Sequence, residues 1–245
     1  PVQPAKDGLY LGIDMGTGGC RAVAINQAGE ILAQAGAPIP MPIKHDGQIT
    51  QDAELWWKAL SSALSNLFKE IPAAKVAAIA VDGTSGTLLL CDKNGAPTQP
   101  ALMYNDHRAT AQAETILASA SPSSGARGAT SSLAKLLWLQ ENAMDKQAAH
   151  ALHQADWIVG KLTGEWHHSD YNNCLKLGYD AQKRAWPGFF KQLGVNEALL
   201  PTVHAPGEVI ATVSADTARA FGLSPGTQVV AGTTDGVAAF LAAGG

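Results

Sequence analysis

Two segments near opposite ends of the chain carry residue types suited to phosphate and proton chemistry. The run Leu9-Tyr10-Leu11-Gly12-Ile13 ends in the carboxylate Asp14, the turn Gly16-Thr17-Gly18-Gly19 follows, and a second strand-like run begins at Arg21. Glycine tolerates positive φ and lets a phosphate approach main-chain N–H groups, so this turn would set amides beside Asp14 at a strand end. A phosphate and its metal ion need that arrangement. Far along the chain, Val229-Val230-Ala231 reads as a buried strand, Gly232-Thr233-Thr234 as a small-residue turn, and Asp235-Gly236-Val237 as the first turn of a helix. The helix dipole and free N–H groups would favour the Asp235 carboxylate there, and catalytic groups collect at strand ends. Each segment also has a plain structural reading, the first as a hairpin turn and the second as a set of helix-capping residues.

Two better-known phosphate loops are excluded. Gly160-Lys161 is followed by Leu162 and lacks the upstream glycine of the Walker pattern, and Gly16-Thr17-Gly18 has Arg21 where the dinucleotide fingerprint requires its third glycine. A third polar group lies between the two segments. Asp82-Gly83-Thr84-Ser85-Gly86 follows one apolar run and Tyr104-Asn105-Asp106-His107-Arg108 another, which places hydroxyl, amide and carboxylate groups at element ends, as sugar sites require. The same residue types are ordinary in turns.

The elements that would position these groups begin with three strands, Leu9–Asp14, Arg21–Asn26 and Ile31–Ala35, joined by tight turns. Asp52 is placed to cap a helix running to about Phe68, with Trp56, Leu60, Ala63, Leu64 and Leu67 on one face. Val76–Val81 and Thr87–Cys91 read as strands, Arg108 to about Leu162 as broken helix with His150 and His153 on one face, and 164–206 as mixed. A strand near Val209, a helix over Ala215–Phe221 and a strand over Gln228–Ala231 complete an α/β pattern.

Composition narrows the function classes. The 245 residues are 16% charged with a net charge of −4 and no basic cluster, which disfavours nucleic acid and anionic membranes as partners. Cys20, Cys91 and Cys174 are widely separated, giving neither a disulfide framework nor a cysteine zinc site. The pairs His150/His153 and His167/His168 lack a third ligand at metal spacing and are expected at the surface. Neither a signal-peptide core nor a membrane-length apolar run is present, so a cytoplasmic location, or an organellar one after processing, is expected.

Taken together, the segments resemble the FGGY family of carbohydrate kinases, within the sugar kinase, Hsp70 and actin superfamily. The resemblance rests on Leu11-Gly12-Ile13-Asp14-Met15-Gly16-Thr17, on Asn105-Asp106-His107-Arg108, on Asp156–Gly164 with Asp170 and Asn172 behind it, and on Gly232-Thr233-Thr234-Asp235-Gly236. It implies a ribonuclease H-like lobe whose mixed sheet starts with three antiparallel strands and is flanked by helices. It implies ATP and Mg²⁺ as cofactors, Asp235 as the base, and Asp14 as catalytic and holding Mg²⁺, directly or through water. Gly16, Thr17, Gly18, Gly19 and Thr234 would lie on the nucleotide side, and Ser85, Asn105, Asp106 and Arg108 on the sugar side. The pentulose branch fits best. Ser85 stands where xylulose kinases usually carry a Met-His-Gly segment, which points to D-ribulose ahead of D-xylulose. Residues 1–8 are expected to be a flexible start, 9–232 the sugar-binding lobe, and 233–245 the beginning of a helix leading to a C-terminal nucleotide lobe that the chain lacks. A homodimer is left open. The rival classes are a stand-alone sugar-binding or regulatory domain and an actin-like or Hsp70-like ATPase.

Overall fold

The structure is a computed structural model and describes residues 7–244; the first six residues of the expected flexible start lie outside it. Leu9–Met15 (β1), Gly19–Ile25 (β2) and Ile31–Pro38 (β3) form the expected antiparallel meander, with Asp14 opposite Arg21. A small hairpin, Ile43–His45 (β4) and Gln48–Gln51 (β5), leads to the helix Ala53–Leu67 (α1). Asp52 caps α1 by accepting the Glu54 N–H at 3.0 Å, and Trp56, Leu60, Ala63, Leu64 and Leu67 are buried, packing α1 across β2 and β3. Burying each large apolar side chain contributes about 1.5–3 kcal/mol, so this face, more than helix propensity, holds α1 in place.

Next come Val76–Gly83 (β6), Leu88–Cys91 (β7) and Ala101–Leu102 (β8), then the helices Thr110–Ser119 (α2) and Ser132–Asn142 (α3). His150–His153 (β9) precedes Gln154–Thr163 (α4). His168–Asp170 (β10), Tyr171–Cys174 (α5), Phe190–Leu193 (α6) and Thr202–His204 (β11) make up the mixed region. Val209–Thr212 (β12), Ala215–Phe221 (α7), Gln228–Val230 (β13), Thr233–Thr234 (β14) and Asp235–Ala242 (α8) finish the order.

The main sheet runs β12-β13-β6-β1-β2-β3, and β14 also pairs with β6. Because β6 is parallel to β1, and β13 and β14 are parallel to β6, the C-terminal ends of the central strands open on the same edge. The step from β13 to β14 requires Gly232, since a Cβ there would collide with the Val81 carbonyl oxygen of β6. A second sheet, β4-β5-β8-β7-β9, covers a smaller apolar cluster shared with α2 and α3. The larger core lies between the main sheet, α1 and α4. No described helix is long and apolar enough to cross a membrane.

Two expectations need correction. The broken helix expected from Arg108 to Leu162 contains the strand β9, whose residues pair with β7 from His153 opposite Leu88 to Cys91 opposite His150. The segment has a local composition that passes for helix, and pairing with β7 decides otherwise. The histidines expected at the surface divide as well: His153 and His168 are buried, each hydrogen-bonded to a neighbouring carboxylate.

Candidate functional site

Three carboxylates meet where the central strands end. Asp14 in β1 is the register partner of Asp82 in β6, Thr233 of β14 lies on the other side of Asp82, and Asp235 opens α8 two residues later. Asp14, Asp82 and Asp235 line one pocket of about 680 Å³ together with Arg21 and the small residues of α8. The Gly236 N–H donates to Asp235 Oδ1 at 2.8 Å, which leaves the other carboxylate oxygen for a ligand. Asp82 is half-buried and its Oδ1 has no hydrogen-bond partner among the described residues. Burial, then the charges of Asp14 and Asp235 and a hydrogen bond to Asp14, push its carboxyl from 3.8 up to about 7. Such a group calls for a cation, because like charges held together in a partly dry site disfavour ionisation.

The turn beside Asp14 is built differently from the expectation. None of Gly16, Gly18 and Gly19 has positive φ. Glycine serves here as room: a Cβ on Gly16 would meet the Gly19 carbonyl at 3.1 Å, and one on Gly18 the Met41 sulfur at 3.2 Å. The Gly16 N–H closes the turn on the Gly19 carbonyl at 3.0 Å, and the Ile39 N–H donates to the Gly18 carbonyl at 3.0 Å. Buried Gln51 fixes the turn from below, with Nε2 donating to the carbonyls of Thr17 (3.0 Å) and Pro40 (2.7 Å) while its Oε1 accepts the Trp56 Nε1–H (2.7 Å).

The polar loops that follow β6 and β8 are drawn together by a residue that sequence reasoning missed. Lys135 of α3 is fully buried, and its Nζ donates to the carbonyls of Gly86 (2.6 Å), Met103 (2.8 Å) and Thr130 (3.0 Å). Burial lowers its pKa to about 7 against the opposing pull of the Asp106 charge. Three carbonyls match the three N–H groups of an ammonium, so Lys135 fastens the loop bearing Ser85 to the loop bearing Asn105. Asp106 and Arg108 serve each other first, with Arg108 Nη2 on Asp106 Oδ2 at 2.7 Å and Nε within 3.1 Å of both oxygens, while the Ile49 N–H adds a bond at 2.6 Å. Burial works to raise the Asp106 carboxyl, yet the bonds from Arg108 and Ile49 outweigh it and hold it below the usual range. Asn105 Oδ1 and Gln154 Nε2 are buried without partners among the described residues.

The family model for "FGGY family of carbohydrate kinases, N-terminal domain" matches residues 9–242. The chain belongs to this family. It is 31% identical to a xylulose kinase of Streptomyces coelicolor over 99% of its own length and 52% of the relative, and 27% identical to a xylulose kinase of Escherichia coli over 96% and 50%. Among solved structures it is similar to a xylulose kinase from Rhodospirillum rubrum (TM-score 0.86, 25% identity, 96% of this chain and 51% of the other). A Plasmodium falciparum glycerol kinase shares the fold, at a TM-score of 0.81 and 16% identity over 94% of this chain and 49% of the other. The chain therefore spans about half the length of the curated relatives it matches, and the α/β architecture is that of the sugar kinases of the actin and hexokinase class.

Within this FGGY domain, Thr233, two residues before Asp235, is held from behind. Asn172 Nδ2 donates to Thr233 Oγ1 at 2.9 Å, and Asn173 Nδ2 donates to the Thr233 carbonyl at 3.1 Å and to Asp170 Oδ2 at 2.7 Å. Burial and the charge of Asp156 push Asp170 up to about 6, against the bonds from Asn173. Thr234 is buried beside β6, opposite Gly83. Asp14 and Asp235, predicted from sequence, share the pocket, whereas Asp82 and Arg21 were missed as members of it. The signal for Asp82 was present: Ile13-Asp14-Met15-Gly16-Thr17, Val81-Asp82-Gly83-Thr84 and Thr234-Asp235-Gly236 all place a carboxylate one or two residues before a glycine, in or directly after a strand.

Proposed function

We propose that this domain is the sugar-binding half of an ATP-dependent kinase that phosphorylates a hydroxyl of a pentulose. The meeting of Asp14, Asp82 and Asp235 in one pocket carries this reading, since three carboxylates against the single cationic side chain of Arg21 leave an excess of negative charge that suits a metal-assisted phosphoryl transfer. In this reading, the free oxygen of Asp235 accepts the proton of the attacking hydroxyl and orients it, and the Gly236 N–H keeps the carboxylate from turning away. Asp14 and Asp82 fit a hard divalent ion, as the unpartnered Oδ1 of Asp82 indicates, and they would hold Mg²⁺ directly or through water. When bound, Mg²⁺ supplies charge neutralisation for the phosphates. Thr17, Gly18 and Gly19 would lie toward the phosphate oxygens, the Gly16 N–H being engaged within the turn, Thr234 beside Gly83 would lie on the same side, and Ser85, Asn105 and the Asp106–Arg108 pair would shape the sugar side. The C-terminal half present in the relatives would supply most of the adenosine site.

Two observations bear on the sugar. The names of the relatives favour D-xylulose, whereas Ser85 in place of a bulkier segment favours D-ribulose. We place D-xylulose first, because the Ser85 loop is shaped by main-chain bonds to Lys135 and Lys176 as much as by its own side chain. A ketose panel tested by thermal stabilisation and by ADP release in the full-length protein checks the proposal; a ligand at 100 times its dissociation constant adds about 2.7 kcal/mol. Pentulose-dependent ADP release is expected. Sugar-independent ATP hydrolysis, or stabilisation by sugar with no ADP release, contradicts the kinase reading, and D-ribulose favoured more than about tenfold, a difference of about 1.4 kcal/mol, reverses the order of the sugars.

A further inference from the structure

A second cluster of metal-ligating side chains stands apart from the carboxylate pocket, at the turn between α4 and β10. Ligand atoms of Glu165, His167 and His168 all lie within 4.8 Å of one another. Glu165 Oε2 is 3.0 Å from His168 Nε2, and the rings of His167 and His168 are 4.0 Å apart at their centroids. A divalent ion with bonds of about 2.0–2.2 Å to nitrogen and oxygen holds its ligand atoms roughly 3.3 Å apart, so the Glu165–His168 pair is already at that spacing and a rotation of the exposed His167 ring completes the set.

The backbone beneath the cluster is fixed. The Glu165 N–H donates to Thr163 Oγ1 at 3.0 Å, and the His167 carbonyl accepts the Thr202 N–H at 2.7 Å. Trp166, between Glu165 and His167 in the chain, packs into space left by Gly95 and Gly160, where any Cβ would overlap its indole ring.

An independent observation comes from counting donors. From Glu165 a chain of three contacts runs through His168 and His204 to Glu208: Oε2 to Nε2 at 3.0 Å, Nδ1 to Nε2 at 2.9 Å, and Nδ1 to Oε1 at 3.1 Å. Carboxylates only accept, so the chain needs three N–H groups, and two neutral imidazoles carry two. A cation at His168 Nε2 removes the shortage. His168 Nδ1–H then donates to His204 Nε2, and His204 Nδ1–H donates to Glu208, with both rings neutral. This is the outer support that metal-bound histidines regularly have.

We propose that Glu165, His167 and His168 bind a zinc-class divalent ion, backed by His204 and Glu208. Imidazole and carboxylate suit Zn²⁺ over Mg²⁺. The ion ties the end of α4 to β10 and, through His204, to β11, and so braces the segment whose Asp170 and Asn173 support Thr233 beside Asp235.

The test is zinc titration of tag-free full-length protein against a chromophoric chelator in millimolar Mg²⁺, which occupies hard oxygen sites, together with the Co²⁺ absorption spectrum. One equivalent of tightly held ion and a Co²⁺ spectrum of nitrogen–oxygen ligation are expected. His167→Ala and Glu165→Gln, both at exposed positions, should each weaken binding by at least about tenfold, and His204→Gln by roughly 10–100-fold, with circular dichroism unchanged. Failure of the folded wild type to hold one equivalent means that a proton completes the chain and overturns the proposal. So does unchanged affinity in both His167→Ala and Glu165→Gln, which keeps the test decisive even where His204→Gln fails to fold.

Discussion

Two clusters of polar side chains in this domain invite a catalytic reading, and they differ in what their neighbours leave undone. Ser132, His153 and Asp156 have the geometry of a nucleophile, base and orienting acid: His153 Nε2 is 3.1 Å from Ser132 Oγ, and Nδ1 is 2.8 Å from Asp156 Oδ2. All three are buried, and Asp156 Oδ2 also accepts the His153 N–H at 2.9 Å, capping α4. Each polar partner is matched within this buried network. Asp14, Asp82 and Asp235 face a pocket and repel one another there, and Asp82 Oδ1 is left unpaired among the described residues. Familiar spacing therefore marks a stabilising network, and incomplete pairing marks the place where chemistry is expected.

Substitutions should separate the two clusters. The largest effect is expected from Asp14→Ala, which in the full-length protein should lower sugar-dependent ATP turnover by about 10³-fold while its thermal unfolding stays close to wild type. His153→Leu should do the reverse. It strands the buried Asp156 carboxylate and should cost about 3 kcal/mol in denaturant unfolding, with activity per folded molecule preserved; a turnover defect without a stability defect would reverse the roles assigned to the clusters.

Asp82→Asn should have the smallest and most pH-dependent effect. The folded Asp82 carboxyl keeps its proton to about 7, whereas the unfolded one releases it near 3.8, so the folded state binds more protons across that window. Stability of the ion-free protein then falls as pH rises through the window, from burial first and then repulsion by Asp14 and Asp235, with Arg21 the cation that lines the same pocket. Asp82→Asn removes this slope and should gain about 1 kcal/mol at pH 8 and nothing near pH 4, as read by urea unfolding at several pH values.

Much of this was legible in the sequence because it is local. The β1–β3 meander, the capped amphipathic α1, the helix Ala215–Phe221 and the strand ends at Asp14 and Asp235 all follow from nearest-neighbour patterns. What the sequence concealed is long-range. β9 exists because β7 is there to pair with it, Lys135 is a fastener only because three carbonyls from separate loops converge on it, and His168 finds His204, and through it Glu208, only after β10 and β11 align. The glycine turn was located correctly but for a different reason: its glycines avoid collisions and do not adopt positive φ.

The measurement closest to the central claim compares Asp235→Asn with wild type in the full-length protein, following sugar-induced thermal stabilisation and ADP release side by side. Stabilisation by the sugar should persist while turnover falls at least about 10²-fold. Turnover within a few-fold of wild type would contradict the role assigned to Asp235 and, with it, the reading of the strand-end carboxylates as the reacting centre.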